Sequence, residues 1–184
     1  MVSISASIWE GWAKSYAGHW KQKPSISGGG FMFDTGAHMM NTVCLLADAE
    51  FERLSAFTNN RGLDVDLVCA VAARLANGAL VTLNAAGDGP PGCASAITLF
   101  YTNALVRIDA WGAWREVSVA GGAAVREVSE IVDTPMRTFK AVRDGRIPNP
   151  STVANGLRFA RLWDAIKASA AADGKSIAIG AGAS

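Results

Sequence analysis

Six short segments with strand character follow one another between residues 52 and 119, with turn residues between them. They are 52–59, 65–75, 79–85, 95–101, 105–110 and 115–119. Asn77-Gly78 lies between the second and third segments, and this dipeptide between two apolar runs predicts a β-hairpin. Short strands joined by tight turns favour a sheet in which neighbouring strands are mostly antiparallel.

The N-terminal third predicts one more strand and a helix. Ile4, Ala6 and Ile8 alternate with serines, which is the pattern of a strand buried on one face. Residues 16–30 are rich in aromatic, basic, Pro and Gly residues and predict a loop. Residues 34–46 carry apolar side chains at helical spacing, and we expect Asp34 to be the N-cap of that helix.

The C-terminal third returns to helical patterns. Pro135 suits the first position of a short helix, and residues 151–172 predict a longer amphipathic helix. We expect its buried face to carry the apolar side chains at helical spacing, which are Val153, Leu157, Ala160, Leu162, Trp163 and Ile166. Residues 175–179 predict a last short strand, and residues 179–184 a disordered tail.

This order of elements predicts an α+β fold: a largely antiparallel open sheet with helices on one face. We predict that residues 1–184 form a single domain. The other face of the sheet would be exposed or used for self-association, with Val71, Leu75 and Val81 of the hairpin available there.

Charge and composition exclude several classes of protein. The 184 residues hold 17 Lys+Arg and 16 Asp+Glu, so no basic surface for nucleic acid is expected. No apolar run is long enough to span a membrane, and no secretory signal is present, so we predict a soluble cytoplasmic protein. Cys44, Cys69 and Cys93 are odd in number and widely spaced, which predicts neither disulfides nor a metal site. Apolar neighbours predict buried free thiols at Cys44 and Cys69.

A glycine motif at residues 87–92 matches the G-x-G-x-x-G pattern of dinucleotide-binding loops. That pattern binds pyrophosphate when the loop opens a helix whose free amides face the phosphates. Here Pro90 and Pro91 remove amide donors, and the following residues predict a strand. We therefore predict a surface loop and no nucleotide site in this chain.

A second motif runs from a glycine loop, Gly28, Gly29 and Gly30, into the first helix. Asp34 and His38 are four residues apart, so in a helix they share a face. A carboxylate beside an imidazole supports proton transfer near neutral pH. The same spacing also suits two other interpretations. Asp34 could simply cap the helix beside a surface histidine, or the two residues could be two ligands of a metal ion. All three interpretations stay open.

The run S-G-G-G-x-x-x-D-x-G-x-H, preceded by Trp20-Lys21, resembles the Gfo/Idh/MocA (glucose–fructose oxidoreductase/inositol dehydrogenase) family. The C-terminal residues from Asn155-Gly156-Leu157-Arg158 to Ile177 are also similar to that family's closing helix and strand. The resemblance is to the substrate domain, a fold like the C-terminal domain of glyceraldehyde-3-phosphate dehydrogenase. It implies the substrate-binding and oligomerisation domain of an NAD(P)-dependent oxidoreductase acting on a sugar, polyol or related hydroxy compound.

The resemblance implies roles for individual residues. His38 would be the acid/base that takes the proton of the substrate hydroxyl, and Asp34 would contact the substrate or orient His38. Lys21 would reach a substrate oxygen. Trp20 and the Gly28–Gly30 loop would shape the pocket.

Two departures from the family pattern limit these expectations. Asn41 stands where the family commonly has an acid, and the nucleotide-binding Rossmann domain is absent together with its Glu-Lys-Pro segment. We therefore expect NAD or NADP to bind a nucleotide domain in the same polypeptide or in a partner, and the chain alone to be inactive. The alternative is a non-catalytic ligand-binding or dimerisation module that retains the fold.

Overall fold

The computed structural model describes residues 1–90, 93–129 and 134–180. The strands in these ranges are β1 (Ser3–Trp9), β2 (Phe51–Asn59), β3 (Val68–Leu75), β4 (Leu80–Ala86), β5 (Ala96–Phe100), β6 (Ala104–Asp109), β7 (Trp114–Val119), β8 (Val125–Val128) and β9 (Ile177–Ala178). The helices are α1 (Trp12–Ser15), α2 (Pro24–Ser27), α3 (Phe31–Asp34), α4 (Gly36–Ala47), α5 (Pro135–Arg143) and α6 (Val153–Ala171). A 3₁₀ turn at Trp20–Gln22 lies between α1 and α2.

The strands form one open sheet in the order β8-β7-β6-β5-β1-β4-β3-β2-β9. β1 is parallel to β4, and every other neighbouring pair of described strands is antiparallel. The β3–β4 hairpin turns at Asn77-Gly78, where Gly78 has a φ of +85° and the Asn77 side chain accepts from the Ala79 amide at 3.1 Å. The predicted α+β class with a largely antiparallel open sheet is confirmed.

The core lies between one face of the sheet and the two long helices α4 and α6. Ile4, Ala6 and Ile8 of β1 all point into it, as their alternation predicts. The α6 side chains in the core are Phe159, Leu162, Trp163, Ala165, Ile166 and Ser169. The stripe predicted for this helix is wrong in its first half, since Val153, Leu157 and Ala160 are exposed. The helix meets the core only from Phe159 onward.

The opposite face of the sheet is not covered by any described helix. It is lined by small and polar side chains and by the exposed ring of Phe57. The small and polar side chains include Ser5, Ser7, Ser55, Ala70, Ala72, Thr82 and Asn84. Val71, Leu75 and Val81 are buried in the core instead, so their predicted availability on this face is wrong. The hairpin alternates with period two, and these residues occupy the positions that face the helices.

Three local predictions differ from the structure. Residues 16–30 were expected to form a loop, yet they contain α2 and the 3₁₀ turn. Asp34 does not cap α4, because the chain already turns into helix α3 at Phe31 and Thr35 is the residue before α4. Of the tail predicted at 179–184, Ile179 donates to the Glu52 carbonyl at 2.8 Å, and residues 181–184 lie outside the described residues. No helix in the described ranges combines the length and apolarity needed to cross a membrane.

Candidate functional site

The candidate site lies at the carboxyl ends of β1 and β4, which are neighbouring parallel strands and therefore end on the same side of the sheet. Glu10 follows β1 and donates its backbone N–H to the Ala86 carbonyl at 3.1 Å, and Ala13 donates to the Gly87 carbonyl at 2.8 Å. These bonds fix the chain segment that leads into α1. The helices α3 and α4 approach the same ends of these strands. α3 carries Asp34 and α4 carries His38.

Asp34 is the centre of a hydrogen-bonded cluster. Its Oδ2 accepts from Lys21 Nζ at 2.6 Å and from the Trp12 indole N–H at 2.8 Å. Lys21 Nζ also lies 4.2 Å from the centre of the Tyr16 ring. The hydrogen bond to Asp34 raises the pKa of Lys21, although burial opposes it. The structure thus brings Lys21 and Asp34 together as an ion pair.

Trp20 lies at the exposed end of a row of aromatic rings. Trp12, Tyr16, His19 and Trp20 follow one another with ring centres 5.5 Å apart at each step. Trp12 is buried while Trp20 is 49% exposed, so the row runs from the core to the surface. Trp20 offers a flat apolar surface beside the Lys21–Asp34 pair.

The backbone conformation favours glycine at Gly28, and close packing requires it at Gly29 and Gly30. Gly28 has a φ of +80° and ends α2, and its carbonyl accepts from the Trp163 indole at 3.1 Å. A side chain at Gly29 would overlap Phe33 and Trp163, and one at Gly30 would overlap the Asp66 backbone. The loop therefore lies tightly against α6 and the segment before β3.

Asp66 holds this loop and was missed in the sequence. Its carboxylate accepts from the backbone N–H groups of Gly30 at 2.6 Å and Met32 at 2.8 Å, so it caps α3 from a distant part of the chain. Burial raises the pKa of Asp66, while these two hydrogen bonds oppose the rise. The sequence feature that could have indicated this role is an acid directly flanked by the apolar residues Val65 and Leu67.

His38 is exposed and lies in the first turns of α4. Its ring meets Trp111, in the turn between β6 and β7, edge to face at 6.4 Å. On its other side it opens onto a cleft of about 570 Å³ between α4, the residues before α6 and the start of α6. The lining is mainly polar and includes Asn41, Thr42, Glu50, Thr152, Asn155 and Arg158. The Asn41 side-chain oxygen is buried and has no hydrogen-bond partner among the described residues.

Glu10 is a second acid that the sequence did not single out. Its side chain is half-buried, and its Oε2 accepts from the Thr35 hydroxyl at 3.4 Å. Burial raises the pKa of Glu10; the Thr35 hydrogen bond lowers it, the charge of Asp34 raises it, and the charges of His38 and Lys21 lower it.

The described part of the 87–92 motif leads into a strand. Gly87 donates its amide to the Leu67 carbonyl at 2.8 Å and Gly89 donates to the Glu10 carbonyl at 3.0 Å, and the next described element is β5. Pro91 and Gly92 lie outside the described residues. The described part of the motif therefore does not fit a dinucleotide, because two of its amides are engaged and no helix follows. Within the described ranges, no three His, Cys, Asp or Glu side chains come together as metal ligands would.

Comparisons with known proteins agree with this fold. The family model described as the GFO/IDH/MocA C-terminal domain matches residues 1–107. No curated protein sequence matches the chain significantly.

Solved structures similar to the chain include a levoglucosan dehydrogenase in complex with NADH and levoglucosan. Its TM-score is 0.80 at 19% identity, over 98% of this chain and 59% of that one. An NAD binding oxidoreductase from Klebsiella pneumoniae has a TM-score of 0.80 at 12% identity, over 98% and 59%. An aldose-aldose oxidoreductase from Caulobacter crescentus complexed with glycerol has a TM-score of 0.75 at 16% identity, over 96% and 55%. The chain thus spans little more than half the length of these proteins.

Proposed function

Since the chain belongs to the GFO/IDH/MocA C-terminal domain family, we propose that it is the substrate-binding domain of an NAD(P)-dependent oxidoreductase. The substrate would be a sugar, a polyol or a related hydroxy compound. The similar structures support this class, since they include a levoglucosan dehydrogenase in complex with NADH and an aldose-aldose oxidoreductase. Because the chain spans 59% of the levoglucosan dehydrogenase, the activity is proposed for the complete enzyme.

The observation that carries this proposal is the position of His38. Its exposed imidazole opens onto a polar cleft of about 570 Å³, a volume suited to a small hydroxylated molecule. An imidazole gains and loses a proton near neutral pH. We propose that His38 takes the proton of the substrate hydroxyl as the carbinol carbon is oxidised.

The neighbouring residues would bind and orient the substrate. The Lys21 ammonium is held by Asp34 at 2.6 Å, and its remaining N–H groups can donate to substrate oxygens. Asp34 would contact the substrate or orient Lys21 and His38. Trp20 would pack against the carbon face of the substrate. Gly28, Gly29 and Gly30 are not among the residues that line the cleft at His38, and they would shape the site by setting the position of α3, which carries Asp34.

The nicotinamide cofactor is proposed to bind outside this chain. NAD or NADP would accept the hydride, but the described glycine loop after β4 does not fit the pyrophosphate. The proposed partner is therefore a Rossmann domain in the same polypeptide or in another one. Within the reaction, this chain's own residues bind the substrate and accept its proton.

We further propose that copies of the chain associate through the uncovered face of the sheet. This face presents small and polar side chains and the exposed Phe57 on four adjacent strands, β2, β3, β4 and β1.

The three cysteines are free, which supports a reducing compartment and hence the cytoplasm as the proposed location.

A second candidate function is a non-catalytic ligand-binding or dimerisation module. Asn41 favours it, because an amide replaces the acid that the family commonly has three residues after the histidine. Such a module would keep the cleft and the open sheet face without proton transfer at His38.

Substitution of His38 in the complete enzyme separates the two functions. His38→Ala should lower turnover with a sugar or polyol and NAD(P) by at least about a hundredfold, as expected for loss of a general acid/base. The matched control is His19→Asn, since this exposed histidine lies outside the cleft at His38 and Asn can keep its hydrogen bond to the 3₁₀ turn. The ring contacts of His19 with Tyr16 and Trp20 are lost in this control. A folded His38→Ala enzyme with unchanged turnover would favour the non-catalytic module.

A further inference from the structure

The cleft at His38 extends along the outer face of α4. His38, Asn41, Leu45 and Asp48 all line it, and residues three or four apart share one face of a helix. Each residue adds about 1.5 Å along a helix, so Asp48 lies about 15 Å beyond His38. A six-membered sugar ring with one substituent at each end spans about four bond lengths, or roughly 6 Å. The cleft is therefore longer than one sugar unit needs.

The opposite wall of the cleft comes from the residues before α6 and from its first turns. The Thr152 hydroxyl donates to Asn155 Oδ1 at 3.2 Å, and Asn155 Nδ2 donates to the Pro150 carbonyl at 3.4 Å. These bonds hold the wall in place. An amide has two N–H groups and two acceptor positions, so the Asn155 side chain keeps one of each beyond these two bonds, and both can bind hydroxyl groups of a ligand.

The charges along the cleft do not favour an anionic ligand. Besides His38, Arg158 is the only basic residue among the described residues that line the cleft. Its Nε donates to both carboxylate oxygens of Glu50, at 2.9 and 2.8 Å, and its terminal nitrogen lies 2.6 Å from Oε1. This ion pair neutralises the guanidinium that a phosphate or carboxylate would need. The uncharged side chains of the lining both donate and accept hydrogen bonds, as sugar hydroxyls require; they include Asn41, Thr42, Thr152 and Asn155.

We propose that the substrate is a neutral disaccharide or other glycoside of at least two units, bound lengthwise along α4. The unit that carries the reacting hydroxyl lies at His38. The second unit lies against Leu45 of α4 and Asn155 of α6, which line the same cleft. This assignment rests on the proposed function, because it extends the site at which His38 accepts the proton.

A bulky side chain in the far part of the cleft tests the second unit in the complete enzyme. Leu45 is 79% exposed and lies seven residues beyond His38, so Leu45→Trp narrows only the space of the second unit. The readout is kcat/KM with NAD(P) for maltose, cellobiose, trehalose, sucrose and lactose, and for glucose, galactose and fructose. The unsubstituted enzyme should prefer one disaccharide to its constituent monosaccharides by about tenfold or more, since the second unit adds hydrogen bonds. Leu45→Trp should lower that kcat/KM by about tenfold or more. Unchanged values for the monosaccharides would show that the variant is folded.

Leu157→Trp is the matched control, because Leu157 is 51% exposed on α6 and is not among the residues that line this cleft. It should leave kcat/KM unchanged for both classes of sugar. Glucose 6-phosphate tests the charge argument and should be no better a substrate than glucose. A preference for monosaccharides or for glucose 6-phosphate, or a disaccharide preference that survives Leu45→Trp, would overturn the proposal and leave the oxidoreductase standing.

Binding of the same sugars to the 184-residue chain separates this proposal from the proposed function. The amide NMR signals of α4 can be followed as each sugar is added, without cofactor. Disaccharide binding that Leu45→Trp weakens, combined with an inactive complete enzyme, would retain the glycoside ligand and refute the oxidoreductase. A chain that binds none of the sugars, in an enzyme that oxidises none of them, would overturn both.

Discussion

The Asp66 carboxylate holds the glycine loop, Gly28–Gly30, in position through hydrogen bonds. It accepts from two buried backbone N–H groups, those of Gly30 and Met32. Asp66→Ala leaves both donors without a partner, so we expect the free energy of unfolding to fall by about 1–3 kcal/mol. Urea denaturation measures this change. Asp64→Ala, at an exposed acid two residues away, should change stability little, and an equal loss in both variants would contradict the assigned role.

The same carboxyl gives a pH dependence of known sign. Burial raises the pKa of Asp66 above its ordinary value of 3.8, so the folded chain binds this proton more tightly than the unfolded chain. Stability contributed by this group is therefore lost as pH rises from about the ordinary value through the folded value. Asp66→Asn should remove that part of the slope in denaturation curves recorded across acidic pH.

At single positions, the sequence could not predict the contacts between distant residues. The motif around Asp34 and His38 could be read because its spacing is local. The actual partners of Asp34 are Trp12 and Lys21, 22 and 13 residues away, and no periodicity relates them. Glu10 and Asp66 were missed for the same reason, since each acts on residues that only the fold brings near.

The Ser169 side chain joins α6 to β2 and to the segment before β9. It is fully buried in α6, where its hydroxyl accepts from the Ala56 amide of β2 at 2.8 Å and donates to the Lys175 carbonyl at 2.7 Å. Ser169→Ala leaves both backbone groups unpaired, so we expect a loss of about 1–3 kcal/mol in unfolding free energy. The control is Ser176→Ala, whose hydroxyl is exposed. Equal stability of the two variants would refute this linking role.

Elements with strong local signals were predicted, and elements that depend on neighbours were not. The β3–β4 hairpin follows from Asn77-Gly78 and period-two alternation, both of which are contained in the segment itself. Among the described strands, β8 pairs only with β7, and all four of its residues are exposed. Its sequence, Val-Arg-Glu-Val, has no period-two alternation. The exposure of Val153 and Leu157 likewise depends on where the core ends, which the helical period of α6 does not encode.

For the whole molecule, the sheet order explains why the candidate site lies at one end of the strands and why one face of the sheet stays uncovered. β1 is inserted between β5 and β4 and is parallel to β4. The chain therefore leaves both strands on the same side of the sheet, at their carboxyl ends. α4 and α6 cover one face of the sheet, and the other face remains without a cover in the described ranges. The site and the uncovered face can therefore serve substrate binding and association separately.

Association through the uncovered face is tested by placing a charge at its centre. Ala72 is exposed on β3 and pairs with Thr82 of β4 and Ser55 of β2. We expect light scattering at micromolar concentration to give a multiple of the 19.2 kDa chain mass, and Ala72→Arg to give the single mass. An uncompensated charge buried in an interface costs about 3–5 kcal/mol, which is enough to separate the copies at this concentration. Ala160→Arg, an equal change on the exposed side of α6, should leave the assembly intact. A monomeric unsubstituted chain would refute the proposed interface, and an assembly that survives Ala72→Arg would move it to another surface.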